Sequence, residues 1–169
     1  MTKKKICDPY VEILDAFNHK GIDYVVVGMS GINYYASQAR DTFVTQDYDI
    51  FVKPAIDNIK KVISVFEKQD YSLATGTKKL DKRSVKDIVK DRKTIIAVDP
   101  YGIAFDLILA VSGYTFSQMQ RGAKIFKVGN IPIKVAKLSK LLMSKKVAGR
   151  EKDRLFLKRY ELILKEKEG

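Results

Sequence analysis

Apolar residues recur at helical spacing in two stretches of the chain, and each stretch has a clear start signal. Asp8-Pro9 supplies a capping carboxylate and a proline at the first helical position, and Gly21 follows as a stop. Pro54 precedes a second amphipathic stretch, whose apolar residues run from Ile56 to Phe66 on one face. The pattern therefore predicts one helix near the start of the chain and another after Pro54.

Short runs of β-branched and aromatic residues predict strands between and after these helices. Residues 23–28 and 47–52 are mostly apolar, which is typical of buried strands. Two further pairs of runs predict β-hairpins. They are TIIAV with IAFDLILAV around a turn at 99–102, and KIFKV with IPIKV around Gly129-Asn130.

Three more segments have helical character. Ser30 can cap a helix over 31–39, and residues 78–93 contain enough apolar positions for a short surface helix. Residues 136–166 predict two helical stretches separated near Gly149. Because helices and strands are mixed along the chain, we expect an α/β (α+β) fold with a mixed β-sheet flanked by helices and a C-terminal helical segment.

The composition is that of a globular chain of 169 residues, 46% of them hydrophobic. One cysteine, Cys7, excludes an intramolecular disulfide and fits a reducing compartment. The basic start is followed by no apolar run, and no stretch reaches the roughly 18 apolar residues of a membrane span. We expect a cytoplasmic protein with no membrane partner, folded as a single domain over 1–169, with a core at about 8–135 and C-terminal helices at about 136–166.

The net charge of +12 is concentrated in the last third of the chain. Residues 1–113 contain 17 Lys and Arg against 15 Asp and Glu, whereas residues 114–169 contain 15 against 5, a net charge of +10. Such a region suits an anionic partner: RNA, nucleotide phosphates or an acidic protein. Lys137, Lys140 and Lys146 are the lysines predicted to contact RNA. A lysine-rich solvated face is the alternative.

Three aspartates stand out as candidate metal ligands. Asp47 and Asp49 are two positions apart on a predicted strand, so their side chains point to the same face. Asp106 lies in the apolar run IAFDLILAV, where an unpaired carboxylate is costly. Oxygen ligands of this kind suit Mg²⁺ or Mn²⁺. The alternatives are an exposed strand face for the first pair and a salt bridge to Arg40 for Asp106.

The turn VVVGMSGINYY, residues 25–35, is a candidate phosphate site. Gly28 lets the backbone approach a ligand closely, and Ser30 adds a hydroxyl at a predicted helix start. Many strand-to-helix turns have this composition, so an ordinary connection capped by Ser30 is the alternative.

Taken together, these motifs resemble the nucleotidyltransferase superfamily that includes DNA polymerase β and antibiotic nucleotidyltransferases. The likeness is closest to the AbiE-type toxin nucleotidyltransferases and their prokaryotic relatives, and it spans about residues 10–160. The residues that carry it occur in the family's order: Gly28, Arg40, Thr45, Asp47, Asp49, Asp106, Lys145, Arg150, Lys152 and Asp153. The chain departs from the family at Met29, where glycine or serine is usual, and in a longer segment between Gly28 and Asp47.

The resemblance implies a nucleotidyltransferase fold and a metal-dependent enzyme. It implies transfer of a nucleoside monophosphate from NTP to a hydroxyl of RNA, protein or a small molecule. Asp47, Asp49 and Asp106 would bind Mg²⁺ or Mn²⁺ and act in catalysis. The nucleotide and its phosphates would be bound by Gly28, Ser30, Arg40, Lys145 and Arg150.

Two alternatives to an active enzyme remain at this point. One is an inactive domain of this fold that binds nucleotide or nucleic acid, which Met29 favours. The other is one partner of a toxin–antitoxin pair, in which the basic surface meets an acidic protein. The three carboxylates favour the enzyme, because a role in binding alone does not require them.

Overall fold

The strands of the protein form one mixed eight-stranded sheet. The structure is a computed structural model that describes residues 8–35 and 47–168. In chain order, the strands are β1 (Tyr24–Val26), β2 (Tyr48–Val52), β3 (Ser72–Thr75), β4 (Lys78–Lys79), β5 (Ile95–Val98), β6 (Ala104–Ile108), β7 (Lys124–Val128) and β8 (Ile131–Val135).

Helices of very different length cover the sheet and extend beyond it. The first begins as predicted, because the Asp8 carboxylate accepts hydrogen bonds from the backbone N–H groups of Tyr10 and Val11. No helix in the described ranges is both long enough and apolar enough to cross a membrane. The helices are α1 (Pro9–His19), α2 (Gly28–Asn33), α3 (Ile56–Lys68), α4 (Val85–Lys90), α5 (Phe116–Gln120), α6 (Leu138–Ala148) and α7 (Glu151–Glu168), with a 3-10 turn at Lys82–Ser84 before α4.

The strand order is β4-β3-β5-β6-β2-β1-β8-β7, which places β2 and β6 side by side at the centre of the sheet. β2 pairs with β6 in parallel, as β1 does with β8, and the other neighbours are antiparallel. The predicted mixed sheet of an α+β protein is therefore confirmed. Because central strands are covered on both faces, polar side chains on β2 and β6 require a specific reason.

The two faces of the central strands meet different helices. On one face, the ring of Tyr48 stacks on Tyr10 of α1 at 4.8 Å, and Phe105 of β6 meets Phe66 of α3 at 5.3 Å. On the other face, Phe51 meets Phe116 of α5 at 5.3 Å. Asp49 lies two positions before Phe51 and so shares the second face. The first face is an aromatic core, and the second contains the candidate site.

The prediction of a helix over 31–39 is wrong in its bounds. The helix, α2, begins earlier at Gly28 and ends at Asn33, while residues 36–39 lie outside the described ranges. Ser30 is therefore inside the first turn and is not the cap. Val27 occupies the N-cap position and makes no side-chain hydrogen bond there.

Candidate active site

Asp49 and Asp106 form a carboxylate pair at the centre of the sheet. They are direct register partners on the parallel strands β2 and β6, so their side chains leave the same face next to each other. The two carboxyl groups are close enough for each to shift the pKa of the other. Because adjacent carboxylates repel each other when both are ionised, the pair favours a state in which one of them is protonated. The sequence prediction that Asp106 lies on the same face as Asp49 is confirmed.

Asp49 is the carboxyl group of the pair whose pKa is shifted more strongly. Burial, with the nearby charges of Asp106 and Asp47, raises the pKa of Asp49 to about 7, although Lys145 and Lys152 act in the opposite direction. Burial and the charge of Asp47 also raise the pKa of Asp106, and the hydrogen bond from Asp49 limits that rise. Asp49 therefore titrates near neutral pH, where a carboxyl group can exchange a proton readily.

Asp47 lies just before β2, is exposed, and is close enough to the pair to raise both pKa values. Within residues 8–35 and 47–168, no three or more acidic, histidine or cysteine side chains are already gathered as a metal-binding group. The donor set nevertheless fits a divalent cation. Asp49 and Asp106 present adjacent carboxylate oxygens, and a cation between them would offset their mutual repulsion.

Gly28 brings the main chain into contact with Asp49. Its φ is +64°, and a Cβ atom at this position would lie 2.3 Å from Asp49 Oδ2 and 3.1 Å from Asp49 Cγ. No residue with a side chain fits this conformation and this contact without displacing the carboxyl group. Gly28 is therefore required where α2 starts because of its contact with Asp49, whereas the predicted approach to a bound ligand stays a prediction.

Ser30 and Met29 have roles that the sequence did not indicate. The Ser30 hydroxyl donates a hydrogen bond to the carbonyl of Val27 at 2.8 Å and accepts one from the N–H of Asp49 at 3.0 Å. With 3% of Ser30 exposed, this hydroxyl fastens α2 to β2 and thereby fixes Asp49. The side chain of Met29 packs against the hydrophobic core and does not line the cavity beside Asp49.

Two predicted phosphate-binding residues, Lys145 and Arg150, lie where α6 meets α7, and both contact Asp153. Arg150 Nε lies 2.7 Å from Asp153 Oδ2, and Lys145 Nζ lies 3.5 Å from Asp153 Oδ1. Burial lowers the pKa of Lys145, an effect that Asp153 partly offsets. Both cations therefore take part in an ion-pair cluster centred on Asp153.

A cavity of about 380 Å³ brings these residues together on the α5 and α6 face of the sheet. Gly28 and Asp49 line one part of it, and Lys145 and Arg150 line another. Ile108, Val111 and Leu141 are among its apolar lining residues. The cavity thus has acidic, basic and apolar regions, which suits a ligand that combines a cation, phosphates and a ring system.

The structure leaves one predicted site residue untested and adds others. Arg40 lies outside the described residues. Ser144, which also lines the cavity, donates a hydrogen bond from its hydroxyl to the carbonyl of Ser112 at 2.7 Å. Asp153, which the sequence motif contains without an assigned role, is the more important of these residues, because it contacts both cations. Its position in the charged run GREKD indicates an exposed residue, and only the packing of α7 on α6 shows that it is buried.

Two of the three lysines predicted to contact RNA have structural contacts. Lys140 donates hydrogen bonds to the carbonyls of Gln118 at 2.5 Å and Arg121 at 2.6 Å, at the end of α5. Lys146 forms an ion pair with Glu161 of α7. Reversing the charge of these lysines would therefore disturb helix packing as well as any RNA contact.

Comparison with known proteins gives a structural match and no sequence match. No family model and no curated protein matches the sequence. Among solved structures, the antibiotic-resistance factor ANT(2'')-Ia, an aminoglycoside nucleotidyltransferase, matches with a TM-score of 0.51 and 12% identity. The protein has a nucleotidyltransferase-type fold. The match covers 79% of this chain but only 66% of that protein, so the chain spans less than two thirds of the length of ANT(2'')-Ia.

The nucleotidyltransferase-type fold agrees with the fold that the sequence motifs implied. At 12% identity the likeness shows the fold alone, so the match to ANT(2'')-Ia does not identify a substrate for this protein. The functional evidence is the carboxylate pair and the cavity that Asp49 lines together with Lys145 and Arg150.

Proposed function

We propose that this protein is a metal-dependent nucleotidyltransferase that moves a nucleoside monophosphate from NTP to a hydroxyl acceptor. One observation carries the proposal: Asp49 and Asp106 are adjacent on central strands, and Asp49 faces a cavity that Lys145 and Arg150 also line. Carboxylates that hold a divalent cation beside cations that bind phosphate are the parts that phosphoryl-transfer chemistry needs. The fold supports the same function.

The proposal gives each residue a role. Asp49 and Asp106, with Asp47 beside them, would hold Mg²⁺ or Mn²⁺. A cation bound there would lower the pKa of the acceptor hydroxyl and neutralise charge on the phosphates. Lys145 and Arg150 would bind the phosphates, and the Gly28 turn would let them approach the sheet closely.

The transfer itself is a displacement at the α-phosphorus. The acceptor oxygen forms a bond to that phosphorus, the bond from it to the oxygen bridging to the β-phosphate breaks, and pyrophosphate leaves. Asp106 would accept the proton of the attacking hydroxyl. A pKa raised above the ordinary carboxyl range makes Asp106 a better base than an exposed aspartate.

The test is a transfer assay with each of the four labelled NTPs and Mg²⁺ or Mn²⁺. Total cellular RNA, a protein extract and aminoglycosides would serve as the three classes of hydroxyl acceptor. We expect the wild-type protein to label one class. We expect Asp106→Ala to lose at least about 10²-fold in rate while retaining NTP binding, because Asp49 and the phosphate-binding cations remain.

Asp87→Ala is the matched control, because Asp87 is an exposed aspartate on α4. It should transfer at the wild-type rate. If wild type and Asp106→Ala are equally inert on all acceptors while both bind NTP, the protein is a nucleotide-binding domain and the proposed activity is wrong.

A second candidate function is that of one partner in a protein pair such as a toxin–antitoxin system. The observation that favours it is a set of exposed apolar side chains on α7, including Leu155 at 62% and Leu162 at 79% exposure. Exposed leucines seven positions apart on a helix are typical of a surface that meets another protein. Because Arg154 and Lys158 flank these leucines, such a partner would be acidic.

A further inference from the structure

The helices α6 and α7 are joined by two carboxylates, and each carboxylate contacts two cations. Asp153 contacts Lys145 and Arg150. Glu161, two turns later on α7, contacts Lys146 and Lys165. The two arrangements are chemically alike, but they differ in their surroundings, and this difference indicates what Asp153 does.

Asp153 is far more buried than an ordinary helix carboxylate. Its side chain is 1% exposed, whereas that of Glu161 is 21% exposed. Burial alone would raise the pKa of Asp153, but the hydrogen bond and charge of Arg150, with the charge of Lys145, outweigh it and hold that pKa below its ordinary value. Asp153 is therefore ionised, and the two cations supply the compensation that its burial demands.

Stability alone does not explain a buried group of this kind. Removing a charged pair from water costs several kcal/mol per ion, and well-packed apolar residues often stabilise a protein as well or better. The second arrangement shows that a carboxylate of a partly exposed side chain is enough to join α6 to α7. A buried carboxylate at residue 153 therefore needs a reason connected with its two partners.

The positions of Lys145 and Arg150 beside the cavity supply that reason. Lys145 and Arg150 line the cavity that Asp49 also lines, whereas Lys146 and Lys165 do not. Lys145 is also close enough to Asp49 to lower the pKa of that carboxyl group. The Asp153 contacts thus hold both cations beside the cavity, and they restrict two long side chains that would otherwise sample many rotamers.

We propose that Asp153 is a positioning residue, which fixes Lys145 and Arg150 in the geometry that binds the polyphosphate of the nucleotide. This inference rests on the proposed function and adds to it a buried residue that touches no substrate. Two oriented cations suit an oligophosphate, because a guanidinium and an ammonium can bind neighbouring phosphate groups at the same time. A nucleoside without phosphates would gain nothing from them.

The experiment compares Asp153→Asn with Glu161→Gln. Both substitutions remove one carboxylate charge from the junction of α6 and α7, but only the first releases residues of the cavity. The probes are inorganic tripolyphosphate, measured by calorimetry with Mg²⁺ present, and the NTP that the wild-type protein uses, measured by steady-state kinetics. Free energies of unfolding are measured for both variants.

We expect Asp153→Asn to bind tripolyphosphate about tenfold or more weakly, and kcat/KM for the NTP to fall by about 10- to 10²-fold, because displaced cations no longer match the phosphates. Glu161→Gln should leave both quantities within about twofold of wild type. A fall in stability without a fall in tripolyphosphate affinity for Asp153→Asn would overturn the inference and make Asp153 a structural residue.

A second variant covers the case in which Asp153→Asn does not fold. Asp153→Glu retains the charge and both ion pairs but moves the carboxylate by one methylene. If the position of the carboxylate determines where Lys145 and Arg150 lie, this variant also loses tripolyphosphate affinity. A folded Asp153→Glu protein that binds tripolyphosphate as tightly as wild type would contradict the inference. Absence of NTP binding and transfer in the wild type would instead overturn the proposed function, so the two failures can be told apart.

Discussion

Asp49 has the environment that most constrains the chemistry of the candidate site. The carboxyl group lies against the backbone of Gly28 and beside Asp106, and burial with the nearby carboxylates raises its pKa from the ordinary 3.8 to about 7. A folded-state pKa above the unfolded value means that the folded protein holds a proton that the unfolded chain releases. Stability is therefore lost as the pH rises from about 4 to about 7, and the loss is complete above pH 7.

Asp49→Asn should remove this pH dependence. An amide can donate a hydrogen bond to the neighbouring Asp106, as a protonated carboxyl group can, and it cannot ionise. In metal-free buffer at pH 8, we expect the variant to have a higher free energy of unfolding than wild type, by the order of a few kcal/mol. Denaturant unfolding from pH 4 to pH 8 measures this difference, with Asp87→Asn on α4 as the exposed control. If the free energy of unfolding changes equally with pH in wild type and in Asp49→Asn, Asp49 is not the source of the pH dependence.

The same pair predicts how stability responds to a divalent cation. At pH 8, where Asp49 is mostly ionised, Mg²⁺ or Mn²⁺ would bind between Asp49 and Asp106 in the folded state only. At a hundredfold excess over its dissociation constant, the cation should stabilise wild type by about 2.7 kcal/mol. The cation should stabilise the Asp49→Asn variant much less, because one of the two carboxylate ligands is absent. Melting temperatures with and without the cation provide the measurement, and equal gains for the two proteins would argue against a metal at this pair.

Gly28 allows a second test, because the chain contains a matched glycine. Gly28 and Gly21 both have a φ of +64°, but a Cβ at Gly21 would meet nothing within 4 Å, whereas at Gly28 it would meet Asp49. Gly21→Ala should therefore cost about 1 kcal/mol of stability from backbone strain alone. Gly28→Ala should cost more and should also weaken metal binding, which calorimetry measures. Equal metal affinity in the two variants would show that the contact with Asp49 is unimportant.

The sequence predicts the elements that have a strong local pattern of apolar residues. It does not predict the elements whose bounds depend on tertiary contacts. The strands β2 and β6 are β-branched and apolar, so their positions and the shared face of Asp49 and Asp106 could be predicted. Neither β3 nor the six-residue α2 has such a signal. α2 starts at Gly28 because the Ser30 hydroxyl bonds within the turn and to β2, a contact between segments distant in sequence.

The sequence pattern also did not predict the five-residue helix α5, which contacts at both of its ends stabilise. Thr115 and Gln118 form a reciprocal capping box at its start, and Lys140 binds carbonyl groups near its end. The helix in turn holds Met119, which is fully buried and lines the cavity. A helix this short depends on such contacts, because it cannot be stable alone.

Thr115→Ala should therefore destabilise the protein by about 1 kcal/mol, since it removes the hydroxyl that accepts the hydrogen bond from the N–H of Gln118. Ser117→Ala is the control, because Ser117 is exposed in the same helix and alanine is the better helix former. Denaturant midpoints measure both effects. A loss in Ser117→Ala equal to that in Thr115→Ala would contradict a role for the capping box.

The distribution of charge over the molecule affects where an anionic partner would bind. Sequence counting places the positive charge in the last third, but it cannot separate lysines that bind carbonyl groups or carboxylates from those that face solvent. Lys140 and Lys146 belong to the first group. Arg154 and Lys158, one turn apart and exposed on α7, are better candidates for contacts with an anionic acceptor.

If the acceptor is RNA, Arg154 and Lys158 should contribute to its binding through phosphate contacts. The affinity of wild type for RNA should fall steeply as salt rises, because bound cationic side chains release counterions from the phosphates. Arg154→Gln with Lys158→Gln should weaken binding and reduce the slope of log affinity against log salt by about 0.7 per lost contact on single strands. Lys78→Gln with Lys79→Gln is the matched control, because it removes the same charge from β4 at the far edge of the sheet. Fluorescence anisotropy with labelled RNA measures all three proteins. If both double variants lose affinity equally, the effect is one of net charge, and α7 is not the surface that meets RNA.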